Sequence, residues 1–96
     1  MRITFDPAKD AQNVTERHLL FEWVADLDWE TALVREDRRR DYGERRLLVT
    51  AHLNGRLHVA VVTYRDDAVR VISFRKASRK EVRYYDNERG RRGLPP

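Results

Sequence analysis

The chain has 96 residues, 41% apolar and 38% charged, with a formal net charge of +4 and no cysteine. That is enough for one domain with a modest core and too short for two. Disulfides and thiolate metal sites are excluded, no apolar run is long enough to cross a bilayer, and the N-terminus lacks the charged-then-apolar layout of a signal peptide, so a cytoplasmic location is expected.

Arg2 to Phe5 reads as a short first strand. Asp6-Pro7 is a helix start, an Asp that can cap free N–H groups followed by a Pro in the first turn, and the helix is predicted from Pro7 to Arg17. A second short helix is expected around Phe21 to Asp26, where Leu20, Trp23, Val24 and Leu27 recur at helical spacing and point to the core. From Thr31 the pattern changes. "TALVRE" is a candidate strand, and "DRRRDYGERR" is a charged connection with a turn at Gly43. "RRLLVTAHL", "RLHVAVVTY" and "AVRVISFR" are three strands rich in Val, Leu, Ile and Thr. Asn54-Gly55 is a strong signal for a tight hairpin, and Asp66-Asp67 a weaker one.

Ser78 followed by Glu81 is a capping box and opens a last helix, whose Val82 and Tyr85 face the sheet. The predicted architecture is α+β: N-terminal helices, an antiparallel meander and a C-terminal helix, in one domain over residues 1–88. Residues 89–96, "RGRRGLPP" after the initial Glu88, read as a basic, disordered tail.

Charge is polarised along the chain. Residues 1–34 carry three basic and seven acidic side chains, whereas residues 35–96 carry seventeen and nine. The second part therefore favours an anionic partner, most simply nucleic acid. His18, His52 and His58 share no metal-ligand spacing. If Asn54-Gly55 is a two-residue turn, His52 lies opposite Leu57 and His58 opposite Ala51, on the other face of the sheet, so no metal site is expected. The glycines form neither a Walker loop nor a dinucleotide fingerprint, and no nucleophile elbow is present, so no cofactor is expected either. What remains is arginine. Arg46, Arg65, Arg70 and Arg75 fall on or at the ends of strands, with Lys76 beside the last. Arg79 and Lys80 open the final helix, where cations and free N–H groups can converge on a phosphate. Tyr42, Tyr64 and Tyr84 can add base stacking.

"DPAKDAQNVTERH", "YGERR" and above all "VTYRDDAVRVISFRKASRKEVRYY" resemble the BrnT toxins of bacterial type II toxin–antitoxin systems. Arg70, Ile72-Ser73, Arg75, Ser78, Glu81 and Tyr85 fall where that family has them. The chain departs from it at Leu19, where the family usually has Gly, and at Phe74, where it usually has Ala. The resemblance implies a RelE-like fold, ribonuclease activity that halts translation, and neutralisation by a BrnA-like antitoxin that also binds operator DNA. Without a metal, RNA is cleaved by its own 2′-hydroxyl. Guanidinium groups suit the charge of the transition state and suit proton removal badly. Charge stabilisation is accordingly expected of Arg46 and Arg75, and the base role of Glu44 or Lys80. Arg65, Arg70, Lys76, Arg79 and Tyr84 are expected to bind RNA. The alternative is a non-catalytic module that binds nucleic acid and antitoxin in transcriptional autoregulation.

Overall fold

The computed structural model describes residues 1–94. Its strands are β1 (Ile3–Phe5), β2 (Leu33–Glu36), β3 (Leu47–Leu53), β4 (Arg56–Arg65) and β5 (Ala68–Lys76), and its α-helices are α1 (Pro7–Arg17) and α2 (Arg79–Arg91). Strands β2 to β5 form the predicted antiparallel meander. β1 joins its end in parallel with β5, so the fold is α+β with a mixed sheet of order β1-β5-β4-β3-β2.

Local chemistry sets most of these boundaries. The Asp6 carboxylate accepts from the Ala8 N–H at 2.9 Å and starts α1 ahead of Pro7. The helix ends at His18, which takes the left-handed conformation at φ 59° and donates its N–H to the Val14 carbonyl. Leu19 then turns into the core, and the Asn13 side-chain amide holds its carbonyl at 3.0 Å. Asn54 and Gly55 both have positive φ, as a tight hairpin of this hand needs, and they register His52 against Leu57 and Ala51 against His58 as expected. Asp66 and Asp67 make the same kind of two-residue turn with φ of 53° and 60°.

The segment after α1 corrects the sequence reading. Phe21–Asp26 is a 3-10 helix, which repeats every three residues, so Phe21, Val24 and Leu27 stack on one side and are buried. Leu20 and Trp23 lie one position off that stripe and are each 38% exposed, so the expected core role of Trp23 is not found. A second 3-10 turn, Trp29–Thr31, leads into β2.

The sheet has two different faces. On the closed face, Val49, Ala51, Ala60, Val62, Val71 and Phe74 pack with Phe21, Val24 and Leu27. On the open face, Leu33, Leu57 and Val59 pack with Tyr85 and with the half-buried Val82, both on α2. One irregularity decides what faces where. Ile72 is an extra residue between the pairs Val62–Val71 and Val61–Ser73, a β-bulge that reverses the alternation of β5. Beyond it Phe74 turns into the closed face, fully buried, and Arg75 turns to the open face opposite Val59.

α2 begins with the predicted capping box at Ser78 and Glu81 but runs on to Arg91, past the expected boundary at Glu88. Val82, Tyr85 and Arg89 continue one stripe at helical spacing. Arg89 is 5% exposed, donates to the Thr31 carbonyl at 3.2 Å and lies over the Tyr85 ring, and Tyr85 donates to the same carbonyl at 2.7 Å. The start of the expected disordered tail is thus helical. Residues 95 and 96 of that tail lie outside the described residues.

Candidate active site

The open face is not fully covered. Pairing across the sheet aligns Leu33, Thr50, Val59 and Arg75 in one row, and Arg35, Leu48, Val61 and Ser73 in the next. α2 covers part of the first row and leaves a cleft of about 610 Å³. Its floor is Leu48, Thr50 and Val59, and its wall is Ser78, Lys80, Glu81 and Tyr84 from the first turns of α2. Arg75 lies at one end. At the other, three inter-strand steps or about 14 Å away, Arg35 reaches over the Tyr84 ring, 5.1 Å from guanidinium carbon to ring centre.

Arg75 is not free in this cleft. Its Nη1 and Nη2 donate to the two oxygens of Glu81 at 2.7 and 2.9 Å, a bidentate pair. The same carboxylate accepts from the Ser78 N–H at 2.9 Å, while the Glu81 N–H donates to the Ser78 hydroxyl at 3.2 Å. The anion shared between Arg75 and the start of the helix is therefore the protein's own. The hydrogen bond from Arg75 is the largest cause that holds the Glu81 carboxyl down to about 2, against partial burial that pushes it up. Glu81 in turn raises Arg75 above its ordinary value.

The structure divides the other expected site residues. Lys80 and Tyr84 line the cleft with Arg75, both exposed. Glu44 does not. It pairs with Arg65 at 3.2 Å in a separate hollow beside Val34, Arg45 and Tyr64. Arg46 lies in a third hollow with Tyr42 and Ser73. Lys76 is on the opposite face from Arg75, because it pairs with His58. Arg70 pairs with Thr63 and Thr4 near the other end of β5, and Arg79 is exposed at the first helical position, outside the cleft lining. The four expected catalytic residues thus reduce to Arg75 and Lys80 at one site.

Arg35 is the cleft residue that the sequence reading missed. The alternation in "LVRE" places it on the same face as Leu33, so the signal existed. Only the register tells that this face meets α2.

The histidines stand apart from the cleft. His52 packs edge-on against Tyr85, with ring centres 5.2 Å apart. His58 is 3% exposed on the closed face beside Phe74, and its Nδ1 donates to the Arg56 carbonyl at 2.7 Å. Burial lowers its pKa. Among the described residues no three His, Asp or Glu side chains gather in a way that could hold a metal ion, and no helix is long and apolar enough to cross a membrane.

Fold and cleft together define a small α+β protein with an open sheet face lined by cationic side chains. Residues 5–81, from β1 to the first turn of α2, match the family described as "Ribonuclease toxin, BrnT, of type II toxin-antitoxin system", and the chain belongs to that family. Membership implies an RNA substrate and an antitoxin partner. Comparison with curated proteins gives no match.

Proposed function

We propose that the cleft between α2 and the sheet is where this toxin cleaves RNA, by a route that needs no metal. The observation that carries this reading is the meeting of Arg35, Arg75 and Lys80 around an apolar floor, with one carboxylate, Glu81, among them. A backbone phosphate competes with Glu81 for the fork of Arg75, a geometry that suits phosphate as well as carboxylate. Once displaced, Glu81 loses the contact that holds its pKa near 2 and becomes a better base beside the phosphate it has yielded to.

The chemistry then balances within the cleft. The substrate's 2′-oxygen attacks phosphorus and gives its proton to Glu81. Arg75 neutralises the growing charge, and the bond from phosphorus to the 5′-oxygen breaks. Lys80, an ammonium at the mouth, protonates the departing oxygen. The products carry a 2′,3′-cyclic phosphate and a 5′-hydroxyl. Tyr84 and Arg35 hold an adjoining base by stacking. Glu44, outside the cleft, is left without a catalytic part in this scheme.

The protein acts in the cytoplasm under this reading, and a BrnA-like antitoxin silences it and carries the complex to operator DNA. Purified protein should cleave RNA in the presence of a chelator and leave cyclic phosphate ends detectable by mass spectrometry. Induction of the chain alone should arrest bacterial growth, and co-expressed antitoxin should restore it. Salt-sensitive RNA binding with no cleavage would instead support a non-catalytic, autoregulatory module, a reading favoured by the engagement of Arg75 with Glu81.

A further inference from the structure

A second hollow of about 350 Å³ lies next to the cleft on the open face, lined by Arg39, Arg40, Tyr42, Arg46, Val61 and Ser73. It is built around one buried carboxylate. The Asp37 carboxylate is fully buried beneath the loop and binds Arg39 through two guanidinium contacts of 2.8 Å. It also accepts from the Tyr42 hydroxyl at 3.0 Å. These bonds, the one to the Arg39 side chain first, hold Asp37 well below the usual carboxylate range, so it stays charged and keeps the loop in place. Tyr42, fixed at its hydroxyl, carries two further guanidinium groups on its ring, with Arg46 at 4.2 Å and Arg40 at 5.3 Å.

Arg39 is therefore spent on Asp37, whereas Arg40 and Arg46 meet no carboxylate among the described residues. The Nε of Arg46 is buried and has no hydrogen-bond partner among the described residues. A guanidinium N–H shielded from water without an acceptor is a costly arrangement, relieved when a ligand supplies the acceptor. Position identifies that ligand. The hollow's floor is the pair Val61–Ser73, the next row along the strands from Val59–Arg75, about 7 Å away. Arg39 stands near enough to Arg75 for their charges to oppose each other. One backbone that crosses from one row to the next spans a nucleotide or two.

We propose that Arg40, Arg46 and Ser73 form a second phosphate subsite, which holds a backbone phosphate of single-stranded RNA next to the one engaged at Arg75. The proposal rests on the cleft as the ribonuclease site, and it makes substrate length matter. The test uses fluorescently labelled 2′-O-methyl RNA, which the 2′-hydroxyl route cannot cleave, in lengths of two and five nucleotides. Anisotropy gives the affinity of each over a range of salt.

The wild-type protein should bind the pentamer more tightly than the dinucleotide by about tenfold, the scale of one added charge-assisted contact. Arg46→Gln and, separately, Arg40→Gln should collapse that ratio toward one and reduce the pentamer's salt slope by about 0.7, the value for one single-strand phosphate. Arg75→Ala should weaken both lengths together. Arg40 is exposed, so that variant answers the question even if Arg46→Gln fails to fold.

A full length gain and full salt slope in Arg40→Gln and in folded Arg46→Gln would overturn the subsite, while dinucleotide binding lost on Arg75→Ala would leave the ribonuclease reading standing. No binding of either length by the wild type would sink both. A DNA pentamer bound a hundredfold tighter than RNA, with the same losses, would overturn the RNA assignment in favour of a DNA-contacting surface.

Discussion

The two faces of this sheet are made from the same strands and do opposite things. On the closed face Val49, Ala60, Val62 and Phe74 meet Val24 and Phe21, and each of these is almost fully buried. On the open face Tyr85 and Val82 seal only the area around Leu33, Leu57 and Val59, and the rest is left to arginines. Stability can therefore be concentrated on one side, which frees the other to carry like charges that a tightly packed surface would not tolerate. The Arg75–Glu81 pair of the open face is also about one-third exposed, so it orients side chains more than it stabilises the fold.

If that division is real, substitutions on the two faces should separate stability from activity. The largest effect is expected from Phe74→Ala on the closed face, which should lower stability by about 3–5 kcal/mol through the cavity it leaves. Cleavage per folded molecule should hold, as checked by denaturant unfolding beside activity. Arg75→Ala, on the open face, should cost about 2.7–4 kcal/mol of transition-state stabilisation, a hundred- to a thousandfold in rate, by analogy with loss of one oxyanion donor. Its melting temperature should move little. An Arg75→Ala protein that melts early yet cleaves RNA normally would erase the distinction between the faces.

Ser78→Ala sits at the boundary between them. Loss of the cap should lower stability by about 1 kcal/mol and change the cleavage rate only mildly, read from melting and rate on the same preparation. Abolished cleavage with unchanged melting would make Ser78 part of the chemistry.

The smallest effect concerns His58 and pH. Burial depresses its folded pKa below the unfolded value of 6.5, so the unfolded chain takes up the proton first. The neutral ring's contribution to stability is then fully present above about 6.5 and is lost as pH falls below it. Glu81 behaves in the same direction at lower pH: its contribution is present above 4.5 and is lost as pH falls toward 2. His58→Gln should flatten the melting profile below pH 6.5, and neither it nor His52→Gln should cost cleavage a hundredfold, the scale of general acid–base catalysis.

What could be read from the residues alone was whatever local chemistry decides. Asp6-Pro7, Asn54-Gly55 and the pair Ser78 and Glu81 each carry their own geometry within four residues, and each is found where expected. The period of the segment from Phe21 to Asp26 was not legible, since a 3-10 helix and an α-helix share the i, i+3 spacing and differ in what lies between. Arg89 was hidden because a charged residue in a Gly- and Arg-rich stretch gives no sign that a carbonyl at Thr31, far away in sequence, is waiting for it. The grouping of the site residues was hidden for a related reason. Arg35 and Arg75 come together only through the register of four strands, and Glu44, close to Arg46 in sequence, leads into a different hollow. Three-dimensional neighbourhood divides the expected cations between separate hollows.

The extra residue at Ile72 means that β5 has a phase, much as a coding sequence has a reading frame. A substitution within Ser73 to Lys76 changes one contact, but drawing Ile72 into the ladder would exchange the destinations of everything up to Ala77. Phe74 would then turn out over the cleft floor and Arg75 in toward Val24, whereas removal of Ile72 would leave Ser73, Phe74 and Arg75 opposite Val61, Ala60 and Val59. Among relatives of this chain, a β5 one residue shorter should therefore lack the bulge and keep the same residues on each face.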